Sequence, residues 1–129
     1  MQCDYFDADV CRSCTLMGTP YAEQVAAKEA HVRELLSPWP KLRWLPPFTS
    51  AESGFRNKAK LVVGGSVADP TLGILGPNGQ GVDLRECGLY EVGLAVTFPI
   101  LAEFVTRASL VPFDVPSGRG ELKNIIISI

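Results

Sequence analysis

Four cysteines constrain this chain more than any other feature: Cys3, Cys11 and Cys14 crowd into its start, and Cys87 stands far away in sequence. If one metal centre takes all four, the segment from Thr15 to Glu86 must fold back on the amino-terminal loop, and the ligand set becomes a tertiary clip. Structural zinc and iron–sulfur clusters are both held by thiolates, and four complete either centre. Cys11-Arg12-Ser13-Cys14 is the short chelating loop common to both. A zinc ribbon or finger usually adds a second C-x-x-C or a histidine pair, and neither is present, so the spacing favours iron and sulfide while leaving zinc open. Two disulfides would be a third use. They need an oxidising compartment, whereas Met1-Gln2-Cys3-Asp4 carries none of the parts of a secretory signal, so reduced thiols and a cytoplasmic location are expected.

At 129 residues the chain is expected to form one domain, and 47% hydrophobic with 20% charged residues excludes disorder as its main state. No stretch has the length and apolarity of a membrane span, so no membrane partner is expected. A net charge of −2 supplies no general attraction for phosphate. Any nucleic-acid contact must therefore rest on a local basic patch.

The segment from Asp4 to Met17 lacks apolar periodicity and reads as a ligand loop without regular structure. Thr19-Pro20 is an N-cap followed by proline at the first helical position. The helix it opens places Tyr21, Val25, Val32, Leu35 and Leu36 on an apolar side and stops at Ser37-Pro38-Trp39-Pro40. His31 on this helix has no second histidine or nearby cysteine, and reads as a surface residue rather than a ligand. In the connector that follows, Trp39, Trp44 and Phe48 are expected to anchor the chain to the body.

From Phe55 to Val63 the residues alternate: Phe55, Asn57, Ala59, Leu61 and Val63 one way, Arg56, Lys58 and Lys60 the other. The basic side has two readings, an edge strand that uses lysine against wrong pairing or a track for phosphates. A meander follows through Thr71–Leu75 and Val82–Leu84, delivering Cys87. Gly73, Gly76, Gly79 and Gly81 lack the order of a dinucleotide loop and read as turn glycines. Leu94, Phe98, Leu101, Val105 and Ala108 predict a second helix over Val92–Ser109, kinked or restarted by Pro99. Glu121 to Ile129 reads as a terminal strand. A chain that stops inside an apolar strand is expected to be the amino-terminal piece of a longer protein. The expected class is α+β: a four-cysteine loop, a helix, an antiparallel meander, a second helix and a last strand.

Met1-Gln2-Cys3, Cys11-Arg12-Ser13-Cys14, Gly54-Phe55-Arg56-Asn57-Lys58-Ala59-Lys60 and Arg119-Gly120-Glu121-Leu122-Lys123 stand in this order with Cys87 between the last two. Together they give the chain, from first residue to last, a sequence that resembles the amino-terminal part of bacterial 23S ribosomal RNA uracil-C5 methyltransferases of the RlmC (RumB) type. The resemblance implies a [4Fe-4S] cluster on Cys3, Cys11, Cys14 and Cys87, with residues 1–18 as the ligand loop. It implies that residues 19–129 are part of an α/β central domain that grips 23S ribosomal RNA, for which the alternating Arg56, Lys58 and Lys60 are the candidate contacts. It also implies a later Rossmann-like domain that binds S-adenosylmethionine, whose cysteine attacks C6 of a uracil-747-type uridine before methyl transfer to C5 and loss of the C5 proton. With all four cysteines committed and no strand–glycine loop–helix unit for the methyl donor, no catalytic residue is assigned in this chain. The expected protein is an enzyme at full length, a monomer, with a structural cluster, and the 129-residue piece alone is expected to be inactive. The alternative is a free-standing zinc or iron–sulfur interaction module without catalytic activity.

Overall fold

Alternation of apolar and basic side chains sets the centre of the fold. In a computed structural model, which describes residues 2–129, the elements in chain order are α1 (Asp4–Asp7), α2 (Tyr21–Leu35), β1 (Lys58–Gly65), β2 (Pro70–Leu75), β3 (Gly81–Asp83), α3 (Val92–Ala95), α4 (Thr97–Arg107) and β4 (Asn124–Ser128). The class is α+β, with one antiparallel sheet in the order β3-β2-β1-β4. β1 buries Ala59, Leu61 and Val63 and exposes Lys58 and Lys60, as the alternation requires. Val63 faces Leu72 on β2, and Leu61 faces Ile125 on β4, so the apolar side continues across the sheet. Gly73 on β2 leaves room for the backbone of β3: a Cβ there would collide with the Val82 carbonyl and the Leu84 amide.

In the sheet order β1 is an interior strand, but its two partners divide it: residues 62–65 pair with β2 and residues 58–62 with β4, so Lys58 and Lys60 lie on the part in register with β4 and both readings of them stand. β1 also starts later than expected. Phe55 and Asn57 are exposed rather than buried with Ala59, and Arg56 lies outside the strand in a parallel bridge with Tyr90. At the carboxy end the regular strand is Asn124–Ser128, preceded by a bridge between Leu122 and Pro112.

The predicted helix over Val92–Ser109 is two helices, broken at Val96. Pro99 accounts for the break, because in one continuous helix its ring would press on the Ala95 carbonyl, whereas near the start of α4 its missing N–H costs nothing. Leu94 of α3 and Phe98, Ala102 and Val105 of α4 pack with Ala59, Leu61, Val63 and Leu72 as the core. Tyr90 meets Phe98 edge-on, with ring centroids 5.0 Å apart, and ties the segment after Cys87 to this core.

The first half of the chain departs further from expectation. The amino-terminal segment contains a helical turn, α1, because the Cys3 carbonyl accepts the N–H groups of Phe6 and Asp7, both at 3.0 Å. Pro20 rather than Thr19 occupies the cap of α2, and the Thr19 carbonyl instead accepts the Gln24 side chain at 2.8 Å. α2 forms where its sequence predicts, yet buries none of its residues, and Val32 and Leu35 remain exposed. Trp39, Trp44 and Phe48 do not anchor the connector in the core: all three are exposed, Phe48 fully. Trp44 instead lies under the Arg33 guanidinium, 4.3 Å from its ring centre. Among the described residues no helix is long and apolar enough to cross a membrane.

Candidate metal centre

The amino-terminal loop is wound on α1. The Tyr5 carbonyl accepts the N–H groups of Val10 and Cys11, at 2.9 and 3.0 Å, so Cys3 and Cys11 hang from the two ends of one helical turn. Asp9 takes a positive φ of 58° where the chain reverses, a conformation that aspartate tolerates better than most residues. The Arg12 side chain folds away onto the Phe6 ring and the Asp9 carboxylate. The Cys14 carbonyl accepts the Met17 N–H at 3.1 Å, which turns the chain towards α2.

Cys87 reaches this loop through the meander. After β3 the Cys87 N–H bonds to the Leu84 carbonyl at 3.0 Å, and the Cys87 carbonyl takes the Tyr90 N–H at 3.3 Å, forming a tight turn with the thiol on it. The clip itself is closed by Tyr5, whose hydroxyl accepts the Glu86 N–H at 3.2 Å across 81 residues. Nearby, Gly54 N–H donates to the Gly88 carbonyl and Arg56 N–H to the Leu89 carbonyl, both at 2.9 Å, while the Glu91 N–H donates to the Arg56 carbonyl at 3.0 Å. Residues 54–56 therefore run alongside the segment that begins at Cys87.

All four cysteines are half-buried, and none is disulfide-bonded. Their electrostatics place them in one neighbourhood. Burial pushes the Cys14 thiol up, and Cys87, Cys11 and Cys3 push it the same way, while Arg56 pulls it down. The Tyr90 hydroxyl is likewise raised by burial first and by Cys87 next, with Arg56 opposing. Burial also raises the Tyr5 hydroxyl, partly offset by the Glu86 amide that it accepts. The thiols are neighbours without being a closed ligand set: among the described residues no three His, Cys, Asp or Glu side chains are gathered as a ready metal site. Four unpaired, half-buried thiols on two chain segments tied together by Tyr5 nevertheless have the donor chemistry of a thiophilic centre. Beside them opens a cleft of about 450 Å³ lined by Cys14, Tyr21, Gln24, Phe55, Arg56 and Leu89, among others.

The three basic residues read as one track separate into two groups. Lys58 and Lys60 are exposed on β1 opposite Ser128 and Ile126, whereas Arg56 acts on Cys14 and Tyr90. His31 is exposed on α2, and no ligand role attaches to it. Sequence reasoning missed Tyr5 and Tyr90 as members of the cysteine neighbourhood. The available signal was local: Tyr5 stands between Cys3 and Cys11, and Tyr90 three residues after Cys87.

No family model matches the chain. Comparison with curated proteins does find relatives, and they fall in the class that the cysteine spacing and the F-R-N-K-A-K stretch suggested, ribosomal RNA uracil methyltransferases. The chain is 43% identical over 130 residues to the 23S rRNA (uracil(747)-C(5))-methyltransferase RlmC of Actinobacillus succinogenes. It is 46% identical over 128 residues to the enzyme of that name from Yersinia enterocolitica, and 45% over 128 residues to that from Escherichia coli. Each match takes in 99% of this chain and 34% of the relative, so the chain spans about a third of the length of these proteins. The resemblance to the RlmC type is thus borne out.

Proposed function

We propose that the chain is the amino-terminal, cluster-bearing and RNA-gripping portion of an S-adenosylmethionine-dependent methyltransferase that modifies C5 of a uridine in 23S ribosomal RNA. The observation that carries this reading is the 43–46% identity to RlmC proteins along 99% of the chain. It is supported by four free, half-buried thiols, of which Cys87, Cys11 and Cys3 all act on Cys14. Cys3, Cys11 and Cys14 would hold a [4Fe-4S] cluster from the amino-terminal loop and Cys87 from the meander. When bound, the cluster supplies a rigid covalent cross-link between the two segments, and C5 methyl transfer needs no electron from it. The Tyr5–Glu86 hydrogen bond aligns the two segments for that closure.

Lys58 and Lys60 stand on a central strand with their side chains in solvent, about 6–7 Å apart along it, which suits neighbouring phosphates. The methyl-donor site and the attacking cysteine are assigned to the remaining two thirds of the full-length protein, which acts in the cytoplasm. The 129-residue chain is accordingly expected to give no heat on titration with S-adenosylmethionine and no methylated RNA.

Anaerobic reconstitution with ferrous iron and sulfide tests the reading. The expected product has iron and sulfide on the four thiolates and a broad visible absorption, and Cys87→Ser abolishes it. Stoichiometric zinc without sulfide would instead make the chain a zinc module, and an intact centre in the Cys87→Ser protein would remove Cys87 from the ligand set.

A further inference from the structure

Large apolar side chains gathered in solvent on a folded chain mark a surface that meets a partner. α2 and the stretch after it carry such a gathering, which shares no residue with the four cysteines or with Lys58 and Lys60. α2 buries none of its residues, and a cleft of about 330 Å³ runs between it and residues 44–48, walled by Val25, Val32, Trp44, Leu45, Pro47 and Phe48. The stretch is pinned across the helix at two points. Near the end of α2 the Arg33 guanidinium lies over the Trp44 ring, and at its start the Tyr21 hydroxyl accepts the Ser50 N–H at 3.1 Å. Between the pins, Pro46 and Pro47 restrict the backbone, and Phe48 stands fully in solvent. The groove is therefore preformed with an exposed aromatic ring at its edge, the arrangement in which an aromatic anchor binds at low entropic cost.

Charge argues against nucleic acid as the occupant. The charged residues on the cleft wall are Lys28 and Glu29, of opposite sign, and Arg33 is neutralised by Glu29 at 2.6 Å, so the groove offers phosphate little net attraction. The length of the relatives supplies the occupant instead. The matches take in 34% of each RlmC protein, which leaves about two thirds of such a protein to be packed against this part. A domain joined to the same chain meets the groove at an effective concentration on the order of millimolar, far above that of a second copy in solution. Resting on the reading of the chain as the amino-terminal portion of an S-adenosylmethionine-dependent methyltransferase, we propose that the groove between α2 and residues 44–48 docks the methyl-donor domain of the full-length protein, with Phe48 as its anchor. Docking there fixes that domain to the helix that follows directly on the cysteine loop.

The test uses the full-length protein with the photo-reactive p-benzoylphenylalanine in place of Phe48, a change at a fully exposed ring that leaves the core untouched. Irradiated without RNA, it is expected to form a cross-link from position 48 to a peptide of the methyl-donor domain, at a yield unchanged by dilution. Cross-links confined to the rest of the chain, or none, would overturn the proposal. So would a cross-link between two chains that fades on dilution, which would make the groove a self-association surface. A cross-link formed only to an added 23S ribosomal RNA hairpin would overturn it too, and make the groove an RNA site. Methyl transfer to that hairpin is measured on the unsubstituted protein. Its absence would defeat the functional reading whatever the cross-link shows; its presence without the expected cross-link would defeat the docking alone.

Discussion

Asp114 accepts two hydrogen bonds that reach in different directions: the Ser117 N–H at 2.9 Å closes its own loop, and the Gln80 amide at 3.2 Å ties that loop to the hairpin between β2 and β3. The Ser117 bonds, with help from Gln80, hold its carboxyl below the ordinary aspartate value. A depressed folded value means that the carboxylate's contribution to stability is complete above the unfolded value, about 3.9, and is lost as pH falls through the lower folded value. Asp114→Ala should therefore melt at a lower temperature than the parent chain at neutral pH, and the gap should close in acid. Thermal melts of both proteins across a pH series check it; a gap undiminished in strong acid would assign the effect to packing. Residues of this kind are where sequence reading stopped. The four cysteines could be picked out because their chemistry is intrinsic to the side chain. Tyr5 and Tyr90 join the cysteine neighbourhood only through long-range contacts, the Glu86 N–H on the Tyr5 hydroxyl and the bridge between Tyr90 and Arg56, that no local pattern encodes.

The two long helices show the same division among elements. Both were legible from the spacing of apolar residues, but periodicity marks a stripe and does not say what covers it. α4 presents Phe98, Ala102 and Val105 to the sheet, and Phe98 is 0% exposed. α2 faces the Trp44–Phe48 stretch across a cleft of about 330 Å³, and its Leu35 is 59% exposed. Phe98→Ala should cost about 3–5 kcal/mol, the range for deleting a fully buried aromatic side chain. Leu35→Ala should stay within about 0.5 kcal/mol, as at other exposed positions. Denaturant midpoints of the two variants test the contrast, and comparable losses would mean that α2 is packed after all. The strands repeat the lesson: the alternation in β1 was readable, while its central place depended on Lys58 meeting Ser128 from the far end of the chain.

For the whole molecule the net charge of −2 sets the terms of RNA binding, since attraction has to come from few cations in the right place. Lys58 and Lys60 are the pair proposed for that role. The register keeps the rival explanation for them in play, because residues 58–61 of β1 are in register with β4 and not with β2. Two consequences follow for the Lys58→Ala/Lys60→Ala double variant of the full-length protein. Affinity for a 23S ribosomal RNA hairpin should fall, and the slope of log affinity against log salt should flatten by about 1–2, as expected when two phosphate contacts are lost. Sedimentation separates the two readings, since a phosphate track predicts no added self-association and edge protection predicts it. The reconstituted iron content should also be unchanged, since the substitution leaves Cys3, Cys11, Cys14 and Cys87 intact. A double variant with unaltered salt slope would remove β1 from the RNA surface, and aggregation in its place would assign the lysines a protective role at the strand edge.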